Sequence, residues 1–198
     1  MPLTSIPTWN SRGVIPPINE LNPVSVDRSP YPISLNEFVS RFSHTPQRLE
    51  ILDGFLNYRA ELHKLGLTIG FQWLDGSFLE DVELLESRAP EDIDVVTFYQ
   101  LPPNVSQTDL LNKAPLLFPA TKSARKAFKA IYHTDAYMVC LDTTLQERLV
   151  ASSAYWYSMW SHRRNQLWKG YLQIDLAPVE DVAAKAILIG SGNPGAQP

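Results

Sequence analysis

Cysteine is almost missing: Cys140 stands alone among 198 residues, which excludes any disulfide within the chain. Long apolar runs are missing too, since none reaches the roughly 18 residues that a membrane-crossing helix needs. The opening segment, MPLTSIPTWNSRGVIPP, lacks the basic stretch and apolar core of a secretory signal. A cytoplasmic protein without a membrane partner is therefore expected, with Cys140 a buried thiol inside the apolar run 137–141. Positive charge is in short supply as well. Seventeen Lys and Arg against 21 Asp and Glu leave a net charge of −4, so any contact with nucleic acid must come from local patches. His44, His63, His133 and His162 never fall at metal-ligand spacing, no nucleophile triad can be assembled around a single Ser or Cys140, and no internal repeat is present.

What is present suits one globular domain, with 44% hydrophobic and 19% charged residues. Residues 1–33 hold many of the 16 prolines without a sustained period, and read as an extended arm. Trp9, Ile15, Leu21 and Val24 make it apolar enough to pack on the body. The body spans 34–190, and the final SGNPGAQP, 191–198, reads as a flexible tail. Ser34 and Glu37 have capping-box spacing ahead of a first helix. Thr45 and Pro46 open a second, with Leu49, Leu52, Phe55, Leu56, Arg59 and Leu62 at helical spacing until Gly66. A strand over 67–74 leads to Gly76-Ser77, and 78–85 reads as a helical turn whose free N–H groups would face an anion near Ser77. Further helices are expected after Ser106, after Thr121 and after Asp142 or Thr143, with strands over 134–141 and 171–176.

The stretch FQWLDGSFLEDVELLESRAPEDIDVVTFY, 71–99, carries the chemistry. An apolar run ends in Gly76-Ser77, and a second opens with Asp92-Ile93-Asp94. Residues two apart on a strand share a face, so Asp92 and Asp94 form a pair of carboxylates beside a small-residue turn. Paired carboxylates repel unless a cation holds them, and a divalent metal carrying phosphate is the economical candidate. A solvated strand end is the bland alternative. The helix after Thr121 has an apolar face (Ala124, Ala127, Phe128, Ile131) and a basic one (Lys122, Arg125, Lys126, Lys129). The basic face reads either as solvated surface or as a track for triphosphate or RNA phosphates. His162, Arg163, Arg164 and Lys169 form a second candidate anion site, or a charged surface turn. Trp156 and Trp160, four apart, read as core residues with base stacking as the alternative.

Gly-Ser followed across a spacer by Asp-apolar-Asp-apolar resembles the signature of the nucleotidyltransferase superfamily, which includes DNA polymerase beta and the minimal nucleotidyltransferases of bacteria. More narrowly, the VIPP arm, the helix ending before DGSF, the PEDIDVV strand and the segment 160–170 resemble an uncharacterised bacterial family of stand-alone nucleotidyltransferase-like proteins. The spacer departs from the pattern: fourteen residues, 78–91, separate Ser77 from Asp92, slightly more than is usual, and ELLESRAPE reads as a small insertion. The resemblance implies an α/β fold with a small mixed sheet flanked by helices. It implies that Gly76 and Ser77 hold the terminal phosphates of a nucleoside triphosphate, ATP first, with Arg164 and Lys169 as further nucleotide contacts. Asp92 and Asp94 would bind Mg2+ or Mn2+, with a third carboxylate from another strand, Asp135 first and Asp175 second. The activity implied is transfer of a nucleoside monophosphate to a hydroxyl on RNA or protein, in a toxin–antitoxin or phage-defence setting. The competing expectations are a nucleotide-binding or partner-neutralising module without turnover, and an RNA-binding protein without chemistry.

Overall fold

A computed structural model describes residues 5–192; apart from its first two residues, the expected tail lies outside them. The chain runs through β1 (Tyr31–Pro32), α1 (Leu35–Phe42), α2 (Pro46–Lys64), β2 (Gly70–Asp75), α3 (Val82–Glu86), β3 (Ile93–Tyr99), α4 (Gln107–Lys113), α5 (Lys122–Tyr132), β4 (Thr134–Cys140), α6 (Gln146–Trp160), β5 (Leu172–Asp175) and α7 (Asp181–Ser191). The strands form one mixed sheet in the order β1-β5-β2-β3-β4. β2 runs antiparallel to both β5 and β3, whereas β1 with β5 and β3 with β4 are parallel. The α/β expectation holds at this level.

Local chemistry sets most boundaries. Ser34 caps α1 by accepting from the Glu37 amide at 3.0 Å, but the reciprocal half of the box is diverted: Glu37 Oε1 instead accepts from the Ile6 amide of the arm at 3.2 Å. Thr45 caps α2 ahead of Pro46, and Gly66 turns the chain with φ +82. The expected single helical turn after Ser77 divides into a 3-10 turn, Ser77–Leu79, and the short α3. α7, absent from the sequence reading, follows β5 and packs beside α1 and α2.

Two arginines on α2 hold the layers together. Arg48 and Arg59 lie eleven residues apart, close to three whole turns, and so share a face. Both are fully buried. Arg48 donates to Glu83 and to the Phe78 and Glu80 carbonyls at 2.6 and 2.7 Å, fixing the segment after Ser77. Arg59 donates to both Asp181 oxygens at 2.8 Å and to Gln72 at 2.7 Å, tying α7 and the sheet to α2.

The arm packs only in part. Ile6, Val14 and Ile15 are buried, and the Trp9 indole donates to the Leu79 carbonyl at 2.7 Å, bracing the same segment that Arg48 holds. Leu21 and Val24, by contrast, are more than 90% or about 90% exposed (98% and 90%), because Ile18 bridges to Arg28 and closes 19–27 into a protruding loop. The arm's last residues are not an arm at all: Tyr31 and Pro32 form the edge strand beside Leu172 and Gln173. Cys140 is half-buried at the end of β4.

Candidate metal and nucleotide site

Sheet register assembles the carboxylates. Asp75 stands opposite Asp94, and Asp94 opposite Asp135, so three neighbouring strands present one acidic row. Alternation puts this row on the face away from α2, which reaches Gln72 on the other face through Arg59. Asp92, two residues ahead of Asp94, projects the same way from just before β3. One oxygen from each of Asp92, Asp94 and Asp135 lies within 4.8 Å of the others.

Gly76 is required beside this row. Its φ is +90, and a Cβ there would lie 2.5 Å from Asp94 Oδ2, so a side chain would be strained and would collide with the carboxylate. Burial, then the charges of Asp75, Asp92 and Asp135, pushes Asp94 up to about 7. Asp75 is pushed up to about 6 by burial, against the pull of Lys169, whose Nζ lies 2.9 Å from both Asp75 Oδ1 and Glu80 Oε1. Those two carboxylates outweigh the cost of burying Lys169 and hold its ammonium above the ordinary value.

Cations from α5 face the acidic row. The Lys129 ammonium contacts Asp92 Oδ2, and Arg125 Nη1 lies 3.6 Å from Asp135 Oδ1 while its guanidinium stacks 4.4 Å from the centre of the Tyr137 ring. Two of the four residues of the basic face thus meet the acidic row, while Lys122 and Lys126 stay exposed to solvent. The turn from α5 into β4 is a single residue, His133 with φ +47, so the last turns of the helix fall beside the start of the strand.

α6 lines the other side of an open cleft of about 740 Å³, a size suited to a small organic ligand. Tyr137, Tyr155, Trp156 and Met159 supply an apolar wall, with Tyr137 and Trp156 centred 4.6 Å apart. Trp160 is core, packed on Tyr171 at 5.9 Å. The cleft is lined by six carboxylates (Asp75, Glu80, Glu86, Asp92, Asp94, Asp135) and four basic side chains (Arg88, Arg163, Arg164, Lys169). Most of those basic groups are already committed: Arg163 to Glu80 at 3.1 Å and to Glu86, Arg88 to Glu86 at 2.8 Å.

The sequence-predicted residues are placed as follows. Gly76, Ser77, Asp92, Asp94, Asp135, Arg164 and Lys169 all line the cleft. Arg164 is exposed and has no ion pair among the described residues, leaving its fork free for an anion. Lys169 is instead a buried counter-charge, so a phosphate contact through its ammonium would have to break two ion pairs. Asp175 is corrected: it pairs with Phe71, at the far end of β2 from Asp75, is exposed, and accepts from the Ala177 amide at 2.8 Å. Alternation does not separate it from Asp135, since Phe71 and Asp75 share a face; the register does, by placing Asp175 four residues along β2 from the acidic row. Asp75 and Glu80 were missed as site residues, and Arg125 and Lys129, expected only as part of a basic helix face, were not foreseen as partners of Asp135 and Asp92. Asp75 is adjacent to the Gly-Ser turn, and Arg125 and Lys129 have i,i+4 spacing just ahead of Asp135, so a signal was present for three of the four.

The residues fit a divalent cation. The donor set is all carboxylate oxygen, which suits Mg2+ or Mn2+, and Asp92 Oδ2 is buried without an aligned hydrogen bond despite its contact with Lys129. A cleft with more acid than base also needs added positive charge before it can accept phosphates.

Fold and site together define a mixed α/β protein with an acidic, aromatic-walled cleft able to hold a divalent metal. The chain belongs to a family of unknown function (DUF6932), whose sequence profile matches residues 7–175. No curated protein and no solved structure matches it. Among the described residues no helix is long and apolar enough to cross a membrane.

Proposed function

We propose that the chain is a divalent-metal-dependent nucleotidyltransferase of the polymerase beta-like type, moving a nucleoside monophosphate from a triphosphate, ATP first, to a hydroxyl acceptor. The observation that carries this reading is the convergence of Asp92, Asp94 and Asp135 oxygens within 4.8 Å, beside the Gly76-Ser77 turn and at one end of an aromatic-walled cleft. Asp92, Asp94 and Asp135 would hold the metal, which supplies charge neutralisation for the attacking and leaving oxygens. Gly76 lets backbone approach the phosphates, Ser77 offers a hydroxyl to them, and Arg164 offers a bidentate fork. Tyr137, Tyr155 and Trp156 give a base a surface to stack on. The acceptor oxygen bonds to the α-phosphorus as the bond to the β-phosphate oxygen breaks. Pyrophosphate leaves with that electron pair, and the hydroxyl proton would pass to Asp135, whose side chain is more exposed than that of Asp92 (30% against 14%).

A second reading, a nucleotide-binding or partner-neutralising module without turnover, draws on one observation: Lys129 and Arg125 already sit against Asp92 and Asp135. Incubation with α-labelled triphosphates, Mg2+ or Mn2+ and cell extract separates the two. A transferase leaves label on an acceptor and loses it in Asp92→Asn/Asp94→Asn. Nucleotide binding without label supports the second reading, and neither binding nor label rejects both.

A further inference from the structure

We propose that the basic face of α5 binds the terminal phosphodiesters of a single-stranded nucleic acid acceptor, and that occupancy of the carboxylate triad by a divalent metal strengthens this binding. The proposal rests on the transferase reading and names the acceptor class for that site.

A groove of about 750 Å³ runs along α5, lined by Lys122, Ser123, Arg125, Lys126, Lys129 and Asp135. Asp135 also lines the aromatic-walled cleft, so the two spaces meet at that carboxylate. Lys122, Lys126 and Lys129 recur at i, i+4 and i+7, one per turn of about 5.4 Å along one side of the helix. Lys122 and Lys126 are exposed, and neither has an ion pair among the described residues. In a chain of net charge −4 this is a local basic patch, not the tail of a general excess. It extends without a break to the reacting carboxylates, because Lys129 and Arg125 touch Asp92 and Asp135 themselves.

That continuity selects the acceptor. The patch requires negative charge within one residue's reach of the attacking hydroxyl, and a phosphodiester strand always carries a phosphate one sugar away from its terminal 3′ hydroxyl. An acidic peptide has no such fixed relation between its charges and a hydroxyl. The track is one helix wide and eleven residues long, enough for the last few nucleotides of a single strand and too narrow for both backbones of a duplex.

The coupling follows from the same ion pairs. Without metal, Asp92 and Asp135 take up the charge of Lys129 and Arg125. With metal on the triad those carboxylates are neutralised, and Lys129 and Arg125 are released to face the strand. Linkage makes the effect reciprocal. Ordinary screening acts in the opposite direction, since a divalent ion competes for phosphates and weakens simple electrostatic binding.

The test uses the full chain, short 5′-fluorescein single strands of RNA and of DNA, and fluorescence anisotropy at constant ionic strength, in Mn2+ or in EDTA. Mn2+ uptake is followed separately by electron paramagnetic resonance. Strand affinity is expected to rise about tenfold with Mn2+, and Lys122→Glu/Lys126→Glu to weaken it by at least about tenfold and lower the salt slope by about two, with Mn2+ uptake unchanged. RNA and DNA arms identify the sugar, because only a 2′-hydroxyl reader separates them. The proposal is overturned if the charge-reversed variant binds like the parent, if Mn2+ lowers affinity, or if an oligoglutamate peptide binds as tightly as the strands. Mn2+ uptake that depends on Asp92 and Asp94, with no strand binding, removes this inference alone; loss of Mn2+ uptake in the parent removes the transferase reading with it.

Discussion

At the scale of single residues, burial decides which charges are structural and which are available. Lys169 is 5% exposed and lies 2.9 Å from two carboxylates, so its removal leaves Asp75 and Glu80 buried and repelling. Lys169→Met is expected to cost about 3–5 kcal/mol in urea unfolding, and Lys169→Met/Asp75→Asn to recover part of it. A Lys169→Met protein that unfolds like the parent yet loses nucleotide affinity would show that Lys169 works as a phosphate ligand. Asp94 supplies a pH dependence. Its carboxyl titrates near 7 when folded, against an ordinary 3.8, so the folded chain holds that proton more tightly than the unfolded one. Metal-free stability therefore falls as pH rises from about 4 to about 7, the reverse of a salt-bridged carboxylate. Metal uptake has the opposite trend, since the ion must displace the proton: Mn2+ affinity is expected to drop by up to about tenfold per pH unit below about 7 and to level off above it. A flat affinity between about pH 5 and about pH 8, read by titration of Mn2+ resonance, would contradict that assignment.

At the scale of elements, what could be read from the chain depended on how local the cause was. The caps of Ser34, Thr45, Ser106 and Thr121 are each made by a side chain three residues from its amide partner, and all four helix starts are found where those residues place them. The Asp92/Asp94 pair and Gly76-Ser77 are equally local. Long-range causes were not legible. Whether Asp135 or Asp175 joins the pair depends on strand order, which puts β4 beside β3 and sends β5 to the other edge of β2. α7 is apolar along much of its length and has no side-chain cap, and its anchor, Asp181, meets Arg59 122 residues away. Nor does composition separate Leu21 and Val24 from Ile15; only the packing of Ile15 beside Gly170, whose amide donates to the Ile15 carbonyl at 2.6 Å, does so. The Arg59 anchor can be tested. Arg59→Met removes the bidentate contact to Asp181 and leaves that carboxylate without its partner. It is expected to destabilise the fold by about 3 kcal/mol and to raise hydrogen exchange in α7 more than in α2 or β3. Uniform loss of protection would mean that α7 is docked chiefly by its apolar contacts.

At the scale of the whole molecule, the sheet's two faces do different work. One face is buried under the α1, α2 and α7 layer, with Arg59, Gln72, Thr97 and Tyr58 joined by hydrogen bonds in its middle. The other carries a row of carboxylates under an open cleft, offset in part by Lys169, Lys129 and Arg125, and it is there that the proposed cation would relieve the remaining repulsion. On the proposed reading, relieving that repulsion with a metal should stabilise the whole fold. Mn2+ at a hundredfold excess over its dissociation constant contributes about 2.7 kcal/mol if it binds only the folded chain. For a domain of this size that amounts to a rise in melting temperature of roughly 5–11 °C. Asp92→Asn/Asp94→Asn should behave differently in two respects measurable in one calorimetric series. Above about pH 7, where Asp94 is charged, the metal-free variant should melt above the metal-free parent because two of the repelling charges are gone, and Mn2+ should leave its melting temperature unchanged. A variant that melts lower than the parent, or that still gains stability from Mn2+, would mean that the three carboxylates are held by cations of the protein itself, Lys129 and Arg125 foremost, and are not waiting for a metal.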